Sequence, residues 1–181
     1  AERDEILARL LDPAEASLVV SAASDDRSIG SVPILGDLLP PGASPLDELV
    51  DGDLPWDNVI APPPGALRAR RSVAPANGIV QHHFNDVAPA AQVEIAEGDL
   101  LTVWVLLDAE NPPDQIMLQV HSAAKAWGHR AYWGADHVPW GVEGTPQRLR
   151  LGDLPETGDW RRLEIDPLEI GLEPGSLITG V

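Results

Sequence analysis

The sequence contains no cysteine, a single lysine, one phenylalanine and one tyrosine. Without cysteine the chain can form no disulfide, thiolate metal site or covalent haem link through its own residues, and it has no cysteine nucleophile. Long apolar runs are also missing, since none approaches the roughly 18 residues that a membrane-spanning helix needs. The sequence therefore predicts no membrane span.

Positive charge is scarce as well. The 181 residues include 29 Asp and Glu but only 12 Lys and Arg, which gives a formal net charge of −17. Because so acidic a chain repels phosphate backbones, nucleic acid is excluded as a predicted partner. Hydrophobic residues nevertheless make up 44% of the chain, which is enough for a core and argues against extensive disorder.

The chain consists of short apolar runs separated by 18 prolines and 16 glycines. This punctuation is typical of many short strands, whereas the proline-rich residues 33–66 are predicted to form loops. Helical periodicity is confined to the first 20 residues, where an apolar stripe ends at Pro13 or, alternatively, a helix begins at Asp12. Strands are predicted near 67–73, 79–85, 91–96, 100–108, 115–121, 128–134, 147–151, 160–166 and 176–181.

Two of these segments indicate how the strands are arranged. Residues 100–108 are apolar on both faces, so they are predicted to form a central strand with Trp104 buried between two sheets. Residues 160–166 alternate between apolar and polar side chains, as in a strand with one face in water. The predicted fold class is therefore all-β, an antiparallel β-sandwich with a short N-terminal helical lead.

Seven segments between residue 52 and the end of the chain carry a family resemblance. They are Gly78–Phe84, Gly98–Asp108, Asn111–Gln119, His129–Gly134, Trp140–Thr145, Gly152–Trp160 and Arg162–Ile165. In order and spacing they resemble a β-sandwich module of large secreted bacterial proteins, as in planctomycete multidomain proteins that also carry c-type cytochrome modules.

The resemblance implies a jelly-roll, lectin-like sandwich that serves as a non-catalytic accessory module in an extracellular or periplasmic location. It divides the chain into a helical or extended lead and linker, residues 1–50, and the sandwich module, residues 51–181. The family continues with an aromatic strand beyond this point, so the module is predicted to be truncated at its C-terminal end. The haem-attachment motif of the parent proteins is absent, and their electron transfer does not carry over to this chain.

The densest group of binding-type side chains lies between Trp127 and Trp140. Aromatic rings stack on the apolar faces of sugars, and arginine or carboxylate groups bond the hydroxyls, so this group resembles a sugar-binding platform. On a strand His129 and Trp133 share one face, and the alternate residues share the other. The candidate ligand-binding residues are Arg130, Tyr132, Trp140, Asp136 and Trp127. The alternative, preferred for Trp133 and left open for Trp127 and Trp140, is that the tryptophans build the core.

Metal and catalytic motifs are weaker. His82 and His83 are adjacent, so on a strand they point to opposite faces and make a poor metal site, and structural hydrogen bonds are the preferred interpretation. No EF-hand spacing supports calcium, although acid-rich turns offer it oxygen ligands at Asp51, Asp53, Asp57, Asp99, Asp108 and Asp153. Ser122 and the other serines lack a nucleophile elbow, and no acidic pair stands out for glycoside hydrolysis.

The sequence thus predicts a secreted accessory module, without catalysis of its own, that binds carbohydrate or a protein partner. Two alternatives stay open: a structural subunit or processed fragment whose open strand edge pairs with another chain, and a glycan-active enzyme. The first rests on Ser176–Val181, which looks like a strand without a closing turn. Leu177, Ile178 and Val181 are accordingly predicted to contact a strand of a second polypeptide, with Leu18–Val20 as the partner within the chain if no second chain is present.

Overall fold

The computed structural model describes residues 15–24, 34, 39–46, 56–57, 61–63, 66, 69–73, 78–79 and 81–181. The strands in this part of the chain are β1 (Glu15–Ser24), β2 (Ser44–Leu46), β3 (Trp56–Asp57), β4 (Ala69–Val73), β5 (His83–Asn85), β6 (Val93–Glu94), β7 (Asp99–Leu107), β8 (Gln115–Ser122), β9 (Ala126–Gly134), β10 (Leu149–Gly152), β11 (Arg161–Ile165) and β12 (Leu177–Gly180). Two short 3-10 helices cover Pro89–Ala91 and Pro167–Ile170, and the described residues include no helix of seven residues or more. The all-β class is therefore confirmed, whereas the helix predicted around Pro13 lies outside the described residues.

One sheet has five strands in the order β11–β7–β1–β4–β3, and all of its pairs are antiparallel. β7 lies between β1 and β11, which confirms that the doubly apolar segment 100–108 forms an inner strand. Such a segment suits this position because neighbouring strands pair with both of its edges and its branched side chains can be covered on both faces.

The N-terminal strand β1 belongs to this same sheet. Its register with β7 runs from Ala16 opposite Leu107 to Ser24 opposite Asp99, and its other edge pairs with β4. The predicted boundary at residue 50 therefore does not separate β1 from the strands of the 51–181 module. The pairing of Leu18–Val20 with the C-terminal strand, predicted as the arrangement within the chain, is wrong because these residues pair with β7.

The second five-stranded sheet has the order β10–β9–β8–β12–β6. β8 and β9 form an antiparallel hairpin, but β10 runs parallel to β9, with Leu149 opposite Ala131. The prediction of purely antiparallel pairing is wrong at this place. A tight turn forces the next strand to run antiparallel, whereas the long connection over residues 135–148 lets the chain return and run in the same direction.

The C-terminal strand β12 is enclosed on both edges by strands of the same chain. Ile178 pairs with β8 on one side and with β6 on the other. Further along, the Phe84 N–H donates to the Val181 carbonyl at 2.9 Å, and the Val181 N–H donates to the Phe84 carbonyl at 3.1 Å. The predicted pairing of Leu177, Ile178 and Val181 with a second polypeptide therefore finds no open edge here, because β5, β6 and β8 occupy both sides.

Both large sheets contribute side chains to one hydrophobic cluster. Its members include Leu101, Val103, Val105 and Ile165 from the first sheet and Leu118, Val120, Ala131, Trp133 and Ile178 from the second. Trp104 alternates with these residues on β7, lies outside the cluster and is only half-buried. The prediction that Trp104 is buried between the sheets is therefore wrong, and the reason is that a segment apolar on both faces does not reveal which face points inward.

Two short strands fall within residues 33–66, which were predicted to form loops. β2 pairs with β5, and β3 pairs with β4. Pro45 occupies the middle of β2, and the strand remains compatible with proline because it belongs to a sheet of only two strands. Among the helices that the structure describes, none is long and apolar enough to cross a membrane.

Candidate functional site

The hairpin of β8 and β9 presents the candidate residues on two opposite faces. Ala131 and Trp133 belong to the hydrophobic cluster, and Trp133 is only 7% exposed, which confirms the core interpretation of this residue. Because side chains alternate along a strand, Arg130 and Tyr132 lie on the opposite side of the sheet, as the sequence predicted. We call the side of Trp133 the inner face and the side of Arg130 the outer face.

On the inner face, His129 is 2% exposed and bonded at both ring nitrogens. Its Nδ1 lies 2.7 Å from the Ile170 carbonyl oxygen, and its Nε2 lies 2.9 Å from the Ser122 hydroxyl. Because a carbonyl oxygen only accepts, Nδ1 carries the proton and Nε2 accepts from Ser122. The Ser122 oxygen in turn accepts from the Lys125 N–H at 3.1 Å. This chain of bonds ties the β8–β9 turn to the 3-10 helix at Pro167–Ile170.

The surroundings of His129 favour its neutral form. Burial lowers the pKa of His129, the bond to Ile170 opposes that effect, and the charges of Lys125 and Arg130 lower the pKa further. A serine and a histidine at bonding distance resemble part of a catalytic triad. However, Ser122 and His129 are each 2% exposed, so a substrate has no access to them and their role is structural.

On the outer face, Arg130 is half-buried between β8 and the segment 135–148, which we call the outer loop. Its Nε donates to Gln119 Oε1 at 2.7 Å, and its Nη1 donates to the Gln147 carbonyl at 3.2 Å. The Arg130 backbone N–H donates to the Pro146 carbonyl at 3.0 Å. Burial lowers the pKa of Arg130, but a guanidinium stays protonated throughout the physiological range. Arg130 is therefore a cation held by neutral groups.

Tyr132 of β9 holds the outer loop through a hydrogen bond to Glu143. It is 1% exposed, and its hydroxyl donates to Glu143 Oε1 at 2.7 Å. Burial, together with the bond to Glu143 and the charge of Asp136, raises the pKa of Tyr132 to about 12. A ring with so little exposed surface has no face to offer a ligand. Tyr132 thus fixes Glu143 instead of contacting a sugar, which differs from its predicted role.

Arg148 holds the outer loop together from within. Its Nε lies 3.1 Å from Glu143 Oε2 and 3.7 Å from Asp136 Oδ1, and its Nη1 donates to the Val138 carbonyl at 3.2 Å. The Arg148 side chain is only 15% exposed, so these interactions are less screened than ion pairs on an open surface. Asp136, a predicted ligand-binding residue, is therefore engaged inside the loop.

Further contacts fix the start and the middle of the outer loop. Gln115 Oε1 accepts from the backbone N–H groups of His137 and Val138 at 2.7 and 2.8 Å. Gly141 has a φ of +85°, and a Cβ atom at this position would collide with the Gln147 carbonyl oxygen. Only glycine combines this backbone conformation with so close an approach. The loop therefore folds back on itself at Gly141 in one defined shape.

The outer loop also carries Trp140 and Val142. Trp140 is half-buried and lies outside the hydrophobic cluster, and Val142 is 61% exposed. The Gln147 carbonyl accepts from the Arg130 guanidinium and also lies against Gly141, the neighbour of Trp140. The Arg130 guanidinium is thus linked, through the Gln147 carbonyl, to the part of the loop that contains Trp140.

Trp127 has a different environment. Its ring meets His83 at 5.1 Å between ring centroids and His121 at 4.9 Å, both edge to face. His121 Nδ1 lies 2.6 Å from the Thr179 hydroxyl. Burial lowers the pKa of His121, and the charge of Asp86 raises it. Trp127 therefore packs among histidines of β5 and β8, rather than against the outer loop.

The described residues include no group of three or more His, Asp or Glu side chains placed to hold a metal ion. Asp99 and Asp108 accept hydrogen bonds from backbone N–H groups of their own turns, and Asp153 pairs with Arg150 at 2.6 Å. These acids therefore stabilise turns. The other predicted calcium ligands, Asp51, Asp53 and the side chain of Asp57, lie outside the described residues.

Sequence reasoning missed the polar residues that shape the site, namely Gln115, Glu143, Gln147 and Arg148. Their contacts join residues far apart on different strands, and nothing in their local sequence distinguishes them from other surface residues. One usable signal was the pair Gly141 and Gly144, both at positive φ, because closely spaced glycines mark a loop that folds back on itself.

Comparisons with known proteins give no assignment: a scan against protein-family models, a search of curated proteins and a search of solved structures each returned no match.

Proposed function

We propose that the chain is a non-catalytic carbohydrate-binding module, built as a jelly-roll-like β-sandwich, that acts outside the cell or in the periplasm. Its binding surface consists of Arg130 and the part of the outer loop around Trp140. The hydrophobic cluster shared by two five-stranded sheets supports the sandwich. The sequence resemblance to secreted bacterial modules supports the jelly-roll topology and the location.

The observation that carries this proposal is the Gln147 carbonyl, which accepts from the Arg130 guanidinium and lies against Gly141, the residue after the half-buried Trp140. Tyr132, Arg148 and Gln115 order the outer loop before any ligand arrives. Such preorganisation reduces the entropy that is lost on binding, and a loop fixed on a rigid sheet is a common place for recognition. The Trp140 ring offers an apolar face for a sugar, while Arg130 offers N–H donors for its oxygens.

The acids near this surface support binding without catalysis. A glycoside hydrolase needs one carboxyl group to protonate the glycosidic oxygen and another to act as base or nucleophile. Asp136 and Glu143 both contact Arg148, and Glu143 also accepts from Tyr132. Both carboxylates therefore have ion-pair partners, which favours a structural role for them over acid–base chemistry.

A protein partner is the second candidate ligand, and Val142 is the observation that favours it. Val142 is 61% exposed two residues after Trp140, and exposed apolar side chains of this kind contribute to protein interfaces. The carbohydrate proposal is preferred because Val142 is the one exposed large apolar side chain of the outer loop, whereas Arg130 offers N–H donors suited to sugar oxygens.

A glycan array tests the proposal, followed by titration of the strongest ligand into Trp140→Ala. We expect that this variant binds about tenfold more weakly or worse, because the stacking face is lost, while its unfolding temperature stays close to that of the parent. Trp160→Ala is the matched control. Trp160 is also half-buried, but its indole N–H donates to the Ala61 carbonyl at 2.8 Å beside the other sheet.

Trp160→Ala should retain glycan binding. The proposal fails if no glycan on the array binds, or if the two tryptophan variants lose affinity equally.

A further inference from the structure

Arg130 differs from every other arginine whose side chain the structure describes. The other four each contact a carboxylate: Arg148 meets Asp136 and Glu143, Arg150 meets Asp153, Arg161 meets Glu156, and Arg162 meets Glu164. The Arg130 side chain instead donates to the Gln119 amide oxygen and the Gln147 carbonyl. In a chain with 29 acidic residues, this half-buried arginine has only neutral partners in the described part of the chain.

Neutral partners hold a guanidinium in place without cancelling its charge. A charge that is partly removed from water is stabilised best by a counter-ion, and its interactions are stronger there than in bulk water. Gln119 and Gln147 engage Nε and Nη1, whereas Nη2 makes no bond to a described residue. A planar guanidinium with a fixed orientation and remaining donors matches the geometry of a carboxylate.

The position of Arg130 relates this unused charge to the binding surface. The Gln147 carbonyl that accepts from Nη1 lies against Gly141, directly after Trp140. We propose that Arg130 is an anion site that receives the carboxylate of a uronic acid, so that the glycan bound by the outer loop is an acidic one. The anion site rests on the geometry of Arg130, whereas the assignment of the anion to a glycan rests on the proposed function.

The net charge of −17 restricts the ligand further. It repels a long polyanion, but salt screens this repulsion beyond a Debye length of about 8 Å at physiological ionic strength. A contact with a half-buried guanidinium is screened much less. The ligand that fits both conditions is an oligosaccharide with an isolated uronate among neutral sugars, rather than a polyuronate.

The direct test follows the Nε–Hε resonance of Arg130 by NMR while sodium glucuronate is added, with the neutral methyl ester of glucuronate as the matched probe. The resonance is assigned by its loss in Arg130→Lys. We expect a saturable shift with glucuronate and none with the ester. Arg150→Lys removes a neighbouring arginine that already has a carboxylate partner, and it should leave the Arg130 shift unchanged.

The second arm compares glucuronate-substituted xylo-oligosaccharides with their methyl esters on the glycan array and by titration. We expect the acid form to bind about tenfold more tightly or better, and we expect Arg130→Gln to abolish this preference, since hydrogen bonds between charged groups are worth at least that factor. A saturable shift without array binding upholds the anion site and rejects the glycan module. Array binding without a shift, or equal binding of acid and ester, upholds the module and overturns the anion site.

Discussion

His129 and Arg130 are neighbours on β9, yet the inner and outer faces satisfy their polar groups in opposite ways. Both ring nitrogens of His129 are bonded, and its partner Ser122 is also bonded to a backbone N–H group, so the inner face is closed to further contacts. Arg130 is held by two neutral acceptors and keeps both its charge and donors. One hairpin thus carries a fully bonded polar side chain on its inner face and a cation with remaining donors on its outer face.

The largest difference in the free energy of unfolding is expected when a tryptophan of the inner face and one of the outer loop are each truncated. Trp133→Ala should lower the free energy of unfolding by about 3–5 kcal/mol, because it removes a buried ring from the hydrophobic cluster. Trp140→Ala, outside the cluster, should change it by about 0.5 kcal/mol or less. Urea denaturation of both variants measures the two values. Similar losses would mean that Trp140 is also a core residue.

A smaller loss is expected from His129→Leu. The variant leaves the buried Ile170 carbonyl without its donor, while Ser122 still accepts from the Lys125 N–H, so a loss of about 1–3 kcal/mol is expected. The same substitution changes the dependence of stability on pH. Since the pKa of His129 is lowered in the fold, the unfolded chain takes up a proton more readily than the folded chain below about pH 6.5.

Stability of the parent should therefore be complete above about pH 6.5 and fall as the pH drops through 6.5 toward the lower pKa of the folded state. Urea titrations at several pH values between 8 and about 5 measure this fall. His129→Leu should fall less steeply, although His121, whose pKa is also lowered, keeps part of the dependence. Identical slopes in both proteins would show that folding does not lower the pKa of His129.

The smallest change, Tyr132→Phe, tests the support beneath the outer loop. It removes only the hydroxyl that donates to Glu143, and Arg148 still holds that carboxylate, so a loss of about 1 kcal/mol in stability is expected. Glycan affinity should fall as well, because the loop is less well ordered before binding. Unchanged glycan affinity together with reduced stability would show that Tyr132 supports the fold but not ligand binding.

The sequence predicted the strands and the two faces of β9 because these depend on local patterns. Alternation with a period of two placed Arg130 and Tyr132 opposite His129 and Trp133, as the structure shows. The same rule failed for Trp104, since alternation gives no direction when both faces of a segment are apolar. Burial of Tyr132 was also not predictable, because the outer loop that covers it returns from another part of the chain.

The strand pairings depend on contacts that a single sequence does not display. Strand signals were present for 147–151 and 176–181, but nothing in those segments specifies a parallel partner for β10 or the enclosure of β12 by β5 and β6. The network around Arg148 is of the same kind, since arginine and acidic residues are common in loops and only the folded chain shows which of them meet. Geometry, rather than composition, distinguishes Arg130 from the other arginines.

The parallel pairing of β10 with β9 restricts how this loop can vary during evolution or engineering. The chain leaves β9 at Gly134 and must travel back along that strand before Leu149 can lie beside Ala131. An insertion in residues 135–148 that spares Gly141 and the contacts of Arg148 leaves this return path intact, and the entropy cost of added length is small. A deletion shortens the path until β10 can no longer reach its place in the sheet. The loop can therefore be lengthened without loss of the β9–β10 pairing, whereas truncation disrupts the sheet itself.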